Sequence, residues 1–153
     1  MSTQVVSLVA GPAGDPILSE DVAAAGGILP GHLVAEGASN VAVHAGAGLN
    51  AQKLFAQKNI ATAGDIDTAY LSGELVIYGA YHSGQEVRAL LAASAAAIVR
   101  GDELESAGDG TLRVATADAA TDTAQRDSIV GYALGPVDNS GGGTVVPINI
   151  RVA

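Results

Sequence analysis

The sequence predicts an all-β protein with an extended N-terminal arm and few or short helices. Its 153 residues include 20 glycines and 5 prolines spread along the chain, so turns are frequent and regular elements are short. Between the turns, apolar residues recur at alternate positions, as in "TLRVAT" and "TVVPINIRV". The hydrophobic residues are mainly alanine and valine, and only 3% of the chain is aromatic. Such a core of small side chains favours stabilisation by neighbouring subunits.

Residues 1–25 are predicted to form the arm and residues 26–153 a β-rich domain. The arm carries a short β-prone run of four aliphatic residues, namely Val5, Val6, Leu8 and Val9. The turn-forming stretch "GPAGDP" separates this run from the rest of the chain. A strand this short is not stable alone, so we expect it to pair with its own sheet or with a neighbouring chain.

The rest of the chain is predicted to be a series of short strands joined by turns. The predicted strands are 32–35, 40–45, 51–57, 74–81, 86–93, 111–116, 128–134 and 144–152. Residues 74–81 are apolar on both faces, which is typical of a central strand. Pro147 has no N–H to donate, so the last strand is predicted at a sheet edge or a bulge. Residues 66–73 could form a helical turn, and the alanine-rich residues 89–99 have helix propensity.

Two segments of the sequence resemble each other. "ILPGHLV" (28–34) and "IVRGDEL" (98–104) both place an apolar residue before a glycine turn and a strand after it. Two copies are too few for a solenoid, so we interpret them as the same local turn motif used twice.

The stretch "GDELESAGDGTL" (101–112) raises the question of a carboxylate site. Its four acids are Asp102, Glu103, Glu105 and Asp109. An EF-hand calcium loop needs oxygen ligands at alternate positions, but with Asp102 counted as the first position, Leu104 stands at the third. We therefore predict a solvated hairpin, with the acids on an exposed edge and the turn at Asp109-Gly110.

No catalytic, metal-binding or cofactor-binding residues are predicted. His32, His44 and His82 lack metal-site spacing, and the chain has no cysteine. His82 and Ser83 are adjacent, so on a strand they point to opposite faces. A triad of Ser83, His44 and a distant acid is the minor alternative, without a GxSxG motif. "HAGAGLNA" begins like a dinucleotide-binding turn, but no helical pattern follows it.

Charge and hydropathy limit the class of partner. The net charge of −9 opposes contact with nucleic acid. No apolar run reaches the length of a membrane span, and the N-terminal sequence lacks the features of a signal peptide. We expect a protein that assembles in a cytoplasm, with neither nucleic acid nor a membrane as its partner.

Six segments in order resemble the capsid decoration (cement) proteins of tailed bacteriophages. They are "GGILPGHLVAEG", "VAVHAGAGLNAQKLFA", "IDTAYLSGELV", "YHSGQEVRALLA", "IVRGDELESAGDGTLR" and "IVGYALGPVDNSGG". The resemblance covers about residues 26–152. It implies a small β-barrel or β-tulip-like domain, a homotrimer on the outer surface of the virion head, assembly in the host cytoplasm, and the major capsid protein as partner.

For the arm, we hypothesise that residues 3–10 add as a strand to the capsid protein or to an adjacent subunit. Two other functions stay open at this point. One is a host-glycan-binding β-domain of a head or tail fibre, which would need exposed aromatic side chains. The aromatic residues are Phe55, Tyr70, Tyr78, Tyr81 and Tyr132. The other is a trimeric β-barrel hydrolase, for which the sequence carries no catalytic motif.

Overall fold

A computed structural model describes residues 8–9, 15–59, 64–116 and 127–153. The strands within these ranges are β1 (Leu8–Val9), β2 (Ile17–Val22), β3 (Leu33–Glu36), β4 (Val41–Val43), β5 (Leu54–Ala56), β6 (Leu75–Ala80), β7 (Glu86–Leu91), β8 (Glu103–Ser106), β9 (Leu112–Val114), β10 (Ile129–Ala133) and β11 (Val146–Val152). In the part of the chain that the structure describes, only residues 127–128 are helical. The prediction of an all-β fold is confirmed.

The strands form two sheets, and each sheet closes on itself. The first has the order β2-β6-β5-β3-β4, and the second has the order β1-β7-β11-β10-β8-β9. A parallel bridge between Ala23 and Val41 joins the ends of the first sheet. A parallel pair between Leu91 and Leu112 joins β7 to β9 in the second. Each sheet is therefore a small five-stranded barrel, and β1 is an additional strand on β7.

The two barrels have the same topology. Strands β2, β3, β4, β5 and β6 correspond in order to β7, β8, β9, β10 and β11, and every pairing of the first barrel recurs in the second. The registers also correspond, since the bridge Ala23–Val41 matches the pair Leu91–Leu112. The chain is thus an internal duplication at the level of structure.

The two similar sequence segments occupy equivalent turns. Gly31 and Gly101 have φ angles of 92° and 96°, a region that favours glycine. The Gly31 N–H donates to the Ala56 carbonyl and the Gly101 N–H donates to the Ala133 carbonyl, both at 2.8 Å. The turn motif that occurs twice in the sequence therefore precedes the corresponding strands β3 and β8.

The barrels share a hydrophobic core. The larger buried cluster is centred on the second barrel, yet it includes Leu33, Phe55 and Tyr81 from the first half of the chain. Phe55 and Tyr81 stack edge to face with ring centroids 5.6 Å apart. Backbone and side-chain hydrogen bonds also cross between the barrels, such as Leu33 N–H to Gly110 O at 2.7 Å.

The alanine-rich segment is a strand rather than a helix at its start. Val87, Ala89 and Leu91 are fully buried at alternate positions of β7. Burial of every second side chain stabilises a strand here, and this outweighs the helix propensity of the alanines that follow. Residues 66–73, where a helical turn was an alternative, contain turns and an isolated bridge.

Pro147 lies where β11 has one strand neighbour. It pairs with Leu90 of β7, whereas β10 pairs only with residues 150–152 of β11. The prediction of an edge strand is wrong, because β11 lies between β7 and β10, but the missing N–H lies beside a locally unpaired stretch of the strand.

The predicted arm contains two strands. Leu8 pairs with Val87 and Val9 pairs with Glu86 in antiparallel register, so β1 adds to the chain's own β7. Val5 and Val6 lie outside the described residues. Ile17–Val22, also within residues 1–25, forms β2 and pairs with β6 along its whole length. Binding of the arm to a capsid protein or a neighbouring subunit stays a prediction.

Candidate interaction surface

The histidines of the chain do not assemble with Ser83. His44 is buried, and its Nδ1 lies 2.8 Å from Ser106 Oγ while its Nε2 lies 3.3 Å from the Asn50 carbonyl. The contact with Ser106 ties the first barrel to β8 of the second. His82 and Ser83 are both exposed. The Ser83–His44 pairing that the hydrolase alternative requires is thus replaced by a buried contact between His44 and Ser106.

The four acids of residues 101–112 lie in different environments. Glu103 is exposed, and Asp102 Oδ2 accepts a hydrogen bond from the Val99 N–H at 2.9 Å. The predicted hairpin is present, with β8 paired to β9. The expectation that all the acids are solvated is wrong for Glu105, whose side chain is 3% exposed and bonds Arg113 at 2.9 Å. Glu105 on β8 pairs directly with Arg113 on the neighbouring strand β9. The ion pair with Arg113 offsets the cost of burying the carboxylate.

Asp109 closes the turn of this hairpin. Partial burial raises the pKa of its carboxyl, but hydrogen bonds from the side chain and backbone of Thr111 outweigh this and lower the pKa overall. Within the described ranges, no three His, Asp or Glu side chains lie close enough together to hold a metal ion.

Most aromatic side chains belong to the core. Phe55, Tyr70, Tyr78 and Tyr81 are at most 4% exposed, whereas Tyr132 is 41% exposed. Tyr78 donates a hydrogen bond to Glu36 Oε1 at 2.7 Å, and desolvation together with this carboxylate raises the pKa of Tyr78 to about 12. Tyr132 is therefore the aromatic side chain that a ligand outside the protein meets.

Among the strands whose burial the structure describes, β2 is the most exposed. Ile17, Leu18 and Val22 are 61%, 51% and 42% exposed, and Leu75, which lies opposite Val22 on β6, is 50% exposed. Five of the six residues of β2 are exposed, so the strand is covered on neither face. These exposed aliphatic side chains make β2 and the adjoining end of β6 a candidate interaction surface.

Sequence reasoning placed this strand in the arm. The segment "ILSEDV" stands between Gly/Pro-rich stretches, and its polar and apolar residues do not mark one buried face. The sequence feature that could have identified this strand is a run of six residues without glycine or proline, which is long enough for a strand.

A second surface lies on the outer face of β7 and β11. Two adjoining clefts of about 380 and 330 Å³ share Arg88 and Pro147 in their linings. Among the described residues Arg88 makes no ion pair, and the lining of the second cleft also contains Asp67.

Comparison with known proteins gives the fold a precedent. No protein-family model matches the sequence, and no curated protein matches it. Among solved structures, the chain is similar to the N base of the head fiber protein gp8.5 of bacteriophage phi29. The two superpose with a TM-score of 0.55 at 15% sequence identity, over 91% of this chain and 95% of that chain. This likeness shows a shared fold that includes both barrels. In the described part of the chain, no helix has the length and apolar character needed to cross a membrane.

Proposed function

We propose that this protein is a structural component of a bacteriophage head, which binds the outer surface of the head as a trimer and stabilises the lattice of the major capsid protein. The observation that carries the proposal is the likeness of fold, over 91% of the chain, to the base of a phage head fiber. The ordered succession of segments that resembles phage decoration proteins supports the same setting independently.

The surface of the molecule suits this role. A net charge of −9 disfavours contact with packaged DNA and suits a position outside the shell. Exposed aliphatic side chains on β2 and β6 provide contact area for a protein partner. A trimer presents each such surface three times, so modest individual affinities combine into firm attachment. A protein that binds only the expanded lattice stabilises that lattice by mass action.

The experiment is cosedimentation of the purified protein with expanded empty heads, followed by heating of the decorated heads. We expect saturable binding and a higher disruption temperature than for bare heads. Light scattering measures the oligomeric state, for which we expect a trimer. A stable monomer that neither sediments with the heads nor changes their disruption temperature contradicts the proposal.

The contribution of the arm is tested by deleting residues 1–14. If the arm pairs with the capsid protein or a neighbouring subunit, the truncated protein occupies fewer sites on the heads. If the truncated protein occupies as many sites as the full chain, the arm does not contribute to binding, and β1 serves only as a strand of the chain's own sheet.

A head-fibre domain that binds host glycans is the second candidate, favoured because the structural neighbour is itself part of a head fiber. Since Tyr132 is the exposed aromatic residue, stacking on a sugar would depend on it. A glycan array with the wild type and Tyr132→Ser tests this: binding that is lost in the variant favours the fibre function. A screen for ester hydrolysis tests the expectation that the protein is not an enzyme.

A further inference from the structure

Among the residues that the structure describes, strand β2 has a neighbour on one edge along its whole length and none on the other before Ala23. β6 pairs with residues 17–22, and the opposite edge meets β4 only through the bridge between Ala23 and Val41. An open edge of six residues is a template for pairing with another strand.

The second barrel shows how the same edge is used. β7 corresponds to β2, and the bridges at Ala23 and Leu91 set the register, so that Leu18 matches Glu86 and Ser19 matches Val87. In the second barrel these two positions pair with β1, in antiparallel register. The stretch of β2 that lacks a partner is thus the stretch that carries an added strand in its duplicate.

The backbone of β2 presents hydrogen-bonding groups at this edge. The Ala23 N–H donates to the Glu74 carbonyl on the β6 side, and the Ala24 N–H donates to the Val41 carbonyl on the other side. Because successive residues alternate between the two edges of a strand, Leu18 and Glu20 direct their N–H and C=O groups to the open edge. The Val22 N–H is engaged by Asp21 Oδ1 at 2.7 Å. Leu18 and Glu20 therefore offer the groups that an added strand would bind.

The side chains around the edge define the chemistry of the partner. Ile17 and Leu18 are exposed aliphatic residues, while Glu20 and Asp21 are acids. Residues 15–52 contain four acids and no Lys or Arg. A second copy that paired through the same edge would bring acids against acids, which is unfavourable. A strand that alternates aliphatic with basic side chains is complementary.

We propose that the open edge of β2 binds an extended segment of a partner protein, with aliphatic and basic side chains, as an added antiparallel strand. Main-chain hydrogen bonds to Leu18 and Glu20 supply the pairing, and the acids supply the charge preference. In the setting of a phage head, which rests on the proposed function, the partner is a protein of the shell.

The test uses the full chain and synthetic eight-residue peptides that alternate valine with lysine, with threonine or with glutamate. Calorimetry or fluorescence anisotropy measures binding. We expect the lysine peptide to bind about tenfold more tightly than the threonine peptide, as two weak surface ion pairs predict. The glutamate peptide should bind least, and added salt should reduce the preference for lysine.

Two substitutions at one position separate the backbone from the charge. Glu20→Pro removes an N–H at the open edge and leaves the bonds to β6, so we expect no binding of any peptide. Glu20→Ala removes only the charge, so we expect it to keep the threonine affinity and to lose part of the preference for lysine. Thermal melts check the fold, and Leu18→Pro, which removes the other edge N–H, replaces Glu20→Pro if that variant does not fold.

Several outcomes overturn the inference. They are equal peptide binding by Glu20→Pro and Glu20→Ala, no binding of any peptide by the wild type, and a preference for the glutamate peptide. Self-association that Glu20→Pro abolishes would show that a second copy occupies the edge, which also overturns it. Peptide binding as expected, without attachment to heads, contradicts only the proposed function, and attachment to heads without peptide binding contradicts only the role of β2.

Discussion

His32 and Asp102 occupy equivalent positions in the two halves of the molecule, and each accepts a hydrogen bond from the backbone N–H three residues before it. The Leu29 N–H donates to His32 Nδ1 at 3.1 Å, and the Val99 N–H donates to Asp102 Oδ2 at 2.9 Å. Both acceptors close the glycine turn that leads into the strands β3 and β8. The histidine can accept this bond only while its Nδ1 carries no proton, so one of the two turns is sensitive to mild acid.

Replacement of His32 by Asn should reduce the loss of stability in mild acid. Burial lowers the pKa of His32 from its ordinary value of 6.5, although Asp109 acts in the opposite direction. The unfolded chain therefore takes up the proton first as the pH falls. The stabilising contribution of the neutral ring is complete above about pH 6.5 and is lost below it. His32→Asn keeps an acceptor and does not titrate, so its melting temperature should fall less between pH 7 and pH 5. An unchanged pH profile contradicts this assignment.

Alanine at Gly31 should cost more stability than alanine at Gly101. Both glycines have positive φ angles, so each substitution carries a backbone penalty of about 1–2 kcal/mol. A Cβ at Gly31 would also lie 3.1 Å from the Arg88 carbonyl oxygen and 3.3 Å from Leu90, whereas a Cβ at Gly101 meets nothing within 4 Å. Denaturant unfolding measures the two losses. Equal losses would show that the turn at Gly31 does not press against β7.

The ion pair of Glu105 with Arg113 should be worth more than that of Glu86 with Arg151. Their N···O distances are similar, 2.9 and 2.8 Å, but the Glu105 side chain is 3% exposed and that of Glu86 is 20% exposed. Double-mutant cycles with glutamine should give a coupling of about 1–2 kcal/mol for the first pair and below about 0.5 kcal/mol for the second. Similar couplings would mean that burial of Glu105 does not strengthen its pair.

Removal of the Tyr81 hydroxyl should destabilise the shared core. Gln57 Nε2 donates to this hydroxyl at 2.6 Å, and Gln57 is fully buried. Tyr81→Phe takes away that acceptor and should cost about 1–2 kcal/mol. The matched control is Tyr132→Phe at an exposed position, for which we expect a change below about 0.5 kcal/mol. Thermal unfolding distinguishes the two, and equal effects would contradict the prediction.

Local patterns carried most of the strand assignments. Alternation in residues 111–116 and 144–152 follows directly from strands with one face in a core, and both segments contain the strands expected. The fate of residues 89–99 could not be read locally, because tertiary contacts of Ala89 and Leu91 override alanine propensity. Burial of Glu105 was also hidden, since it depends on Arg113 of the neighbouring strand.

The duplication left little trace in the sequence because equivalent positions have different environments. Phe55, opposite Leu33, is fully buried where the barrels meet, while its counterpart Tyr132, opposite Glu103, is exposed. At such positions the two halves therefore carry different kinds of side chain, even though the same backbone pairing recurs. Only the glycine turns, which need a positive φ in both halves, kept a recognisable pattern.

The open edge of β2 also bears on aggregation. A bare strand with Ile17, Leu18 and Val22 exposed is a hazard for edge-to-edge growth between copies. Glu20 and Asp21 act as gatekeepers against it, because their charges repel the same strand of another molecule. That repulsion acts between charges, so added salt weakens it. The residues that select a partner therefore also set the salt dependence of colloidal stability.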